Sequence, residues 1–100
     1  MNVQKLLEVF STEYSEGNLS FDDIVYKLSK RPDLHAFILL DSLLPDTDDI
    51  IGWAEHEIIH LNINIEGLAN VANEEKILEL ARCGVFYDEE TDSLAMFAGW

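Results

Sequence analysis

The chain has 100 residues, 48% of them hydrophobic, and a formal net charge of −14 at pH 7. This composition predicts one compact acidic domain over residues 1–100 with a single core. It contains no apolar run long enough for a membrane span, and its surplus of carboxylates argues against direct binding to nucleic acid or to anionic membranes. Residues 1–5 lack the layout of a secretory signal, and the single cysteine, Cys83, cannot form an internal disulfide. We therefore expect a cytoplasmic protein in which this thiol is buried packing.

The first two predicted elements are amphipathic helices. Residues 2–14 place apolar side chains at helical spacing. Ser20 is a good N-cap for a second helix, which Pro32 ends. The inward side of this second helix is expected to consist of Ile24, Val25 and Leu28.

Residues 34–44 are apolar at eight of eleven positions. A helix that is apolar nearly all round must be covered on several sides, so this segment is predicted to be the central core helix. The alternative is that it forms a homodimer or partner surface in an oligomeric structural component. His35, at its start, is expected at the protein surface.

An acidic turn at residues 45–49 is expected to cap a short helical piece through Ile50, Ile51 and Trp53. Trp53 is expected in the core, with a role as a binding anchor as the alternative. The phenylalanines fall on apolar faces and are also expected in the core: Phe10, Phe21, Phe37, Phe86 and Phe97.

Residues 56–60 read His-Glu-Ile-Ile-His. On a helix, His56 and His60 would bind zinc and Glu57 would be the general base of a small metallopeptidase. On a strand, four residues span about 13 Å and the two imidazoles cannot share one ion. Apolar and polar residues alternate up to residue 66, which predicts a half-buried strand over residues 57–65. We therefore predict no catalytic residue, cofactor or metal ion, with the zinc enzyme as the alternative.

The remaining elements complete a small sheet. Residues 66–72 could form one or two helical turns, and Asn73 caps a clearer helix that ends before Gly84. Residues 85–87 and 94–97 then flank a loop without glycine, which predicts a hairpin with a loop longer than two residues. The three strands predict an α+β domain, with N-terminal helices packed on a small antiparallel sheet and a C-terminal hairpin.

Three stretches of the second half of the chain are similar to small acidic proteins of phage and prophage genomes. They are residues 54–61 (AEHEIIHL), 82–88 (RCGVFYD) and 92–97 (DSLAMF). The resemblance implies a viral or mobile-element origin and an extended conformation after His56. It implies no enzymatic activity, because that group carries none that could be transferred.

The charge is concentrated in the last two thirds of the chain. Residues 32–100 hold 15 acidic residues against two basic ones, and no lysine or arginine occurs between Arg31 and Lys76. Such a surface attracts basic proteins. We predict a non-catalytic module that binds a basic protein. One example of such a module is a phage-encoded DNA mimic, of the anti-CRISPR or antirestriction type, that inhibits a host nucleic-acid-handling complex. The candidate protein-binding residues are Asp46, Asp48, Asp49, Glu55, Glu57, Asp88, Glu89, Glu90 and Asp92.

Overall fold

The computed structural model of the protein describes residues 1–16 and 20–97. Within these residues, four α-helices accompany a four-stranded antiparallel sheet, which confirms the predicted α+β class. None of these helices has the length and apolar character needed to cross a lipid bilayer. The elements are α1 (Val3–Glu16), a 3-10 helix (Phe21–Asp23), α2 (Pro32–Leu43), β1 (Ile51–Glu55), β2 (Ile58–Leu61), α3 (Ile65–Val71), α4 (Glu74–Arg82), β3 (Phe86–Asp88) and β4 (Ser93–Phe97).

The strands lie in the order β1-β2-β4-β3, so β1 and β3 are the edges of the sheet. Successive side chains on a strand point to opposite faces. Leu61 pairs with Leu94 across β2 and β4, and both are buried beneath the helices. His60, paired with Ala95, therefore points to the opposite face, which we call the outer face.

The core is formed where the helices cover the inner face of the sheet. α1 packs against α3, α4 and β3. Complete burial of one leucine stabilises the fold by roughly 1.5–3 kcal/mol, so these side chains supply much of the driving force for folding. The largest buried side chains include Leu6, Phe10, Leu40, Leu68, Ile77, Leu80, Leu94 and Met96.

Helix ends follow the predicted local signals. The side chain of Asn73 accepts a hydrogen bond from the Lys76 N–H at 2.9 Å and caps α4. Gly84 follows α4 with φ 94°, the left-handed conformation expected there. Asn64 caps α3 in the same manner through the Gly67 N–H at 3.0 Å. The helical turns predicted near residues 66–72 are thereby confirmed.

The predicted second helix is wrong beyond its first turn. Ser20 accepts a hydrogen bond from the Asp22 N–H as expected, but only Phe21–Asp23 is helical. Ile24 is 5% exposed whereas Val25 is 83% exposed, so the two do not share an inward face. The physical reason is a competing tertiary contact, because the Leu28 N–H donates to Nδ1 of His35 at 3.0 Å instead of to a helical carbonyl.

The apolar helix is confirmed as a core element. Pro32 occupies its first turn, and Ala36, Leu39 and Leu40 are buried. Leu34 and Ile38, one turn apart, remain exposed. The expectation that His35 lies at the surface is wrong, since its ring is completely buried.

The expected helical piece at residues 50–53 is also wrong, because this segment is strand β1. It pairs with β2, and a bulge at Gly52 interrupts the register between Ile51 and Trp53. The strand predicted over residues 57–65 is shorter than expected and ends at Leu61. Capping by Asn64 places Ile65 in α3, so local helix initiation overrides the alternating pattern there.

Candidate binding surface

The His-Glu-Ile-Ile-His motif lies on a β-hairpin. His56 (φ 50°) and Glu57 (φ 66°) form the two-residue turn between β1 and β2, and both are exposed. Two consecutive positive φ angles are typical of a primed hairpin turn. His60 lies within β2, so the predicted extended conformation of this segment is confirmed. The single helical face on which the zinc motif depends is replaced by a turn and a strand.

His60 is enclosed on the outer face of the sheet. It is 2% exposed, and its ring stacks on the indole of Trp53 with centroids 4.3 Å apart and planes at 13°. Nδ1 of His60 lies 3.4 Å from Oγ of Ser93 and 3.9 Å from a carboxylate oxygen of Asp88. Trp53 itself is 45% exposed, so the expectation that it lies in the core is wrong.

Ser93, His60 and Asp88 do not form a catalytic triad. In a triad the two ring nitrogens have different partners, the acid on one and the nucleophile on the other. Here both neighbours approach the same nitrogen, Nδ1. Among the side chains that the structure describes, those of residues 1–11 and 20–97, no group of three or more His, Cys, Asp or Glu is arranged to hold a metal ion.

Aromatic side chains form a row across the outer face. The register places Trp53 beside His60, His60 beside Ala95, and Ala95 beside Phe86. Phe86 stacks on Phe97 with ring centroids 5.1 Å apart. We call Trp53, His60, Phe86 and Phe97 the aromatic row. Phe97 is 46% exposed, so its expected core position is wrong. Residue types alone did not distinguish Trp53, Phe86 and Phe97 from core residues, because large apolar side chains occur both on this face and in the core.

The nine predicted binding residues fall into three groups at three corners of the sheet. The first group precedes β1, where the Ile50 carbonyl accepts a hydrogen bond from the Asn62 N–H at 2.6 Å. The second group lies at the β1–β2 turn, at the other end of the same edge. The third belongs to the β3–β4 loop near the opposite edge. The groups are Asp46, Asp48 and Asp49, then Glu55 and Glu57, then Asp88, Glu89, Glu90 and Asp92.

Two carboxylates of the third group shape the loop that carries them. Asp88 accepts a hydrogen bond from the Glu90 N–H at 3.0 Å. Asp92 accepts one from the Tyr87 hydroxyl, and this bond, with burial and the surrounding carboxylates, raises the pKa of Tyr87. Glu89 and Glu90 are exposed at the loop tip. The third group therefore combines two carboxylates that accept hydrogen bonds within the loop with two at its exposed tip.

Basic side chains are segregated from the sheet. Residues 44–73 and 83–97, which we call the sheet region, contain ten acidic residues and no lysine or arginine. Lys76 and Arg82 instead line a cleft of about 470 Å³ between α4 and the segment after the 3-10 helix. Asp23, Glu75 and Glu79 line the same cleft, so its charges are of mixed sign. Apart from its histidines, the ionisable side chains that the sheet region itself contributes at neutral pH are therefore all acidic.

Cys83 behaves as predicted. It is completely buried at the end of α4. Burial, with a smaller contribution from the Glu79 carboxylate, raises the pKa of its thiol to about 12. At neutral pH the thiol is protonated, and it is poorly suited to act as a nucleophile.

No family model, no curated protein and no solved structure matches this chain.

Proposed function

We propose that the protein is a non-catalytic domain that binds a basic partner protein through the outer face and the acidic corners of its sheet. The observation that carries the proposal is that Trp53 and Phe97, the two ends of the aromatic row, are exposed at 45% and 46% in a sheet region that holds carboxylates and no lysine or arginine. Binding energy at protein interfaces is concentrated in a few aromatic or arginine anchors. Surrounding charge mainly sets the encounter rate and selects against partners of the wrong sign.

The partner class that fits this surface best is a protein that handles nucleic acid. Such proteins present rows of lysine and arginine toward a polyanion, and a carboxylate surface is attracted to the same rows. In this proposal the chain is a phage-encoded inhibitor in the host cytoplasm that occupies such a site as a DNA mimic. The phage origin is part of the proposal and follows the resemblance noted for residues 54–61, 82–88 and 92–97.

The charge requirement is tested by pull-down from a bacterial lysate at low salt. The variant Glu89→Lys/Glu90→Lys reverses two exposed carboxylates of the sheet region, and Glu8→Lys/Asp41→Lys reverses two exposed carboxylates on α1 and α2. We expect the affinity for the captured protein to fall about tenfold in the sheet-region variant and to stay unchanged in the helix variant. We also expect about 0.5 M salt to elute the captured protein from the parent chain. Equal capture by both variants, or capture unaffected by salt, contradicts the proposal.

The partner class is tested by competition with duplex DNA. If the captured protein binds nucleic acid at the site that this domain occupies, then DNA added in excess displaces the domain. A captured protein that binds DNA and the acidic domain simultaneously argues against DNA mimicry and leaves the broader binding proposal intact.

A further inference from the structure

Among the described strands, β1 pairs only with β2, and no described strand pairs with its other edge. All five of its residues are exposed, and it contains neither proline nor lysine, two residues that commonly protect edge strands. The other edge strand, β3, is three residues long and packs against α1. A docking strand therefore meets less obstruction at β1.

The register of the hairpin defines which groups face this edge. Glu55 and Ile58 flank the two-residue turn and form the hydrogen-bonded pair that closes such hairpins. Hydrogen-bonded and non-hydrogen-bonded pairs alternate along antiparallel strands. The next residue, Ala54, therefore directs its N–H and C=O away from β2 and toward the open edge.

Trp53 and Glu55 place an indole ring and a carboxylate beside this edge, and an arginine side chain can bind both. Both lie on the outer face, and one side of the Trp53 indole rests on His60 while the residue retains 45% exposure. A guanidinium ion stacks favourably on an indole and pairs in a bidentate manner with a carboxylate. Arginine matches both groups better than lysine, because the compact lysine ammonium is not planar and cannot donate two parallel hydrogen bonds to one carboxylate.

We propose that β1 pairs with an extended, arginine-containing segment of the basic partner, which adds a strand to the sheet and places one guanidinium on Trp53 beside Glu55. This inference rests on the proposed function and specifies its binding mode. Main-chain hydrogen bonds supply affinity in such strand addition, and alternate side chains supply specificity.

Charge selects a basic segment over a second copy of this chain. Two copies would each contribute a formal charge of −14, and the sheet region that flanks β1 has no lysine or arginine to offset the repulsion. A segment with arginine at alternate positions removes this repulsion and brings its cations onto the outer face, because alternate side chains of a strand share one face.

The binding mode is tested with short peptides of alternating arginine and valine. Three probes are compared: the arginine peptide, its lysine counterpart, and the arginine peptide with N-methyl groups on alternate amides. N-methylation removes the donors needed for strand pairing and keeps the charge. In a Trp100→Phe background, Trp53 is the only tryptophan, and its fluorescence reports binding.

We expect the arginine peptide to bind about fivefold more tightly than the lysine peptide, and N-methylation to weaken binding about tenfold or more. The affinities of Trp53→Ala and Glu55→Gln, measured by calorimetry on folded protein, should each fall about three- to tenfold. Trp53→Phe should restore part of the loss, and the distant exposed variant Val25→Ala should bind as the parent chain does.

The failures of the two proposals are distinguishable. If the N-methylated peptide binds as well as its parent, and binding remains sensitive to salt and to Glu89→Lys/Glu90→Lys, then strand addition is wrong and the acidic binding function stands. If no cationic peptide binds and lysate capture is insensitive to salt, then the proposed function fails as well.

Discussion

The imidazole of His35 donates its Nε2–H to the carboxylate of Glu79 at 2.9 Å, across 44 positions of sequence. The tautomer follows from the other nitrogen, because Nδ1 accepts the Leu28 N–H at 3.0 Å and so carries no proton. The edge of the ring also meets Phe21, with ring centroids 5.7 Å apart. One buried side chain thereby joins α2, α4 and the irregular segment between residues 24 and 31.

Replacing His35 should be strongly destabilising. His35→Ala leaves a backbone N–H and a partly buried carboxylate without their partner and creates a cavity, so we expect the free energy of unfolding to fall by about 2–4 kcal/mol. His56→Ala, at an exposed turn position, should change it by less than about 1 kcal/mol. Urea denaturation measures both values. Similar values for the two variants would show that His35 does not hold these elements together.

The neighbouring residues Ile24 and Val25 should differ in their contribution to stability. Ile24 is buried and Val25 is almost fully exposed. Ile24→Ala should cost about 2–4 kcal/mol, whereas Val25→Ala should be within about 0.5 kcal/mol of the parent protein. In the helix predicted from sequence both side chains face inward and both truncations are costly. Thermal or urea unfolding of the two variants distinguishes these arrangements.

The double substitution His56→Asn/Glu57→Gly should stabilise the protein. Asparagine and glycine accept the positive φ angles of the turn with little strain, so we expect a gain of about 0.5–1 kcal/mol. On a zinc-binding helix the same change would remove a ligand and cost about 1 kcal/mol through the glycine alone. The sign of the change in unfolding free energy thus separates the hairpin from the helical motif.

Cys83 should make the protein less stable at alkaline pH. The pKa of the thiol is raised from 9.0 to about 12 in the folded state, so above pH 9 the unfolded chain releases a proton that the native state retains. The thiol's contribution to stability is complete below pH 9 and is lost as the pH rises toward 12, by at most about 1.4 kcal/mol per pH unit.

The control for this pH dependence is Cys83→Ala, which removes the titrating group. Because other side chains also titrate in this range, the quantity measured is the difference in unfolding free energy between the two proteins at each pH. That difference should be constant below pH 9 and then shrink. A difference independent of pH up to 12 would rule out a buried, protonated thiol.

Sequence alone predicted several elements whose deciding interactions lie within a few residues of each other. Helix α1 follows from apolar spacing, and α2 follows from a segment that is apolar at eight of eleven positions after Pro32. Asn73 and Gly84 bound α4 because a cap bonds to the backbone three residues away and a left-handed position favours glycine. The C-terminal hairpin and the extended conformation at His60 follow from alternation and turn length, and the concentration of negative charge is a direct count.

Tertiary structure decided the features whose partners lie far apart in the chain. The segment after Ile24 is irregular because its Leu28 N–H is bound by His35, and His35 in turn is bound by Glu79. β1 is a strand because β2 pairs with it, and Trp53 is exposed because it lies on the outer face of an edge strand. Local propensities are weak compared with such contacts, so the sequence predicted an acidic α+β domain, and the pairing of its strands determined which side chains lie on the outer face.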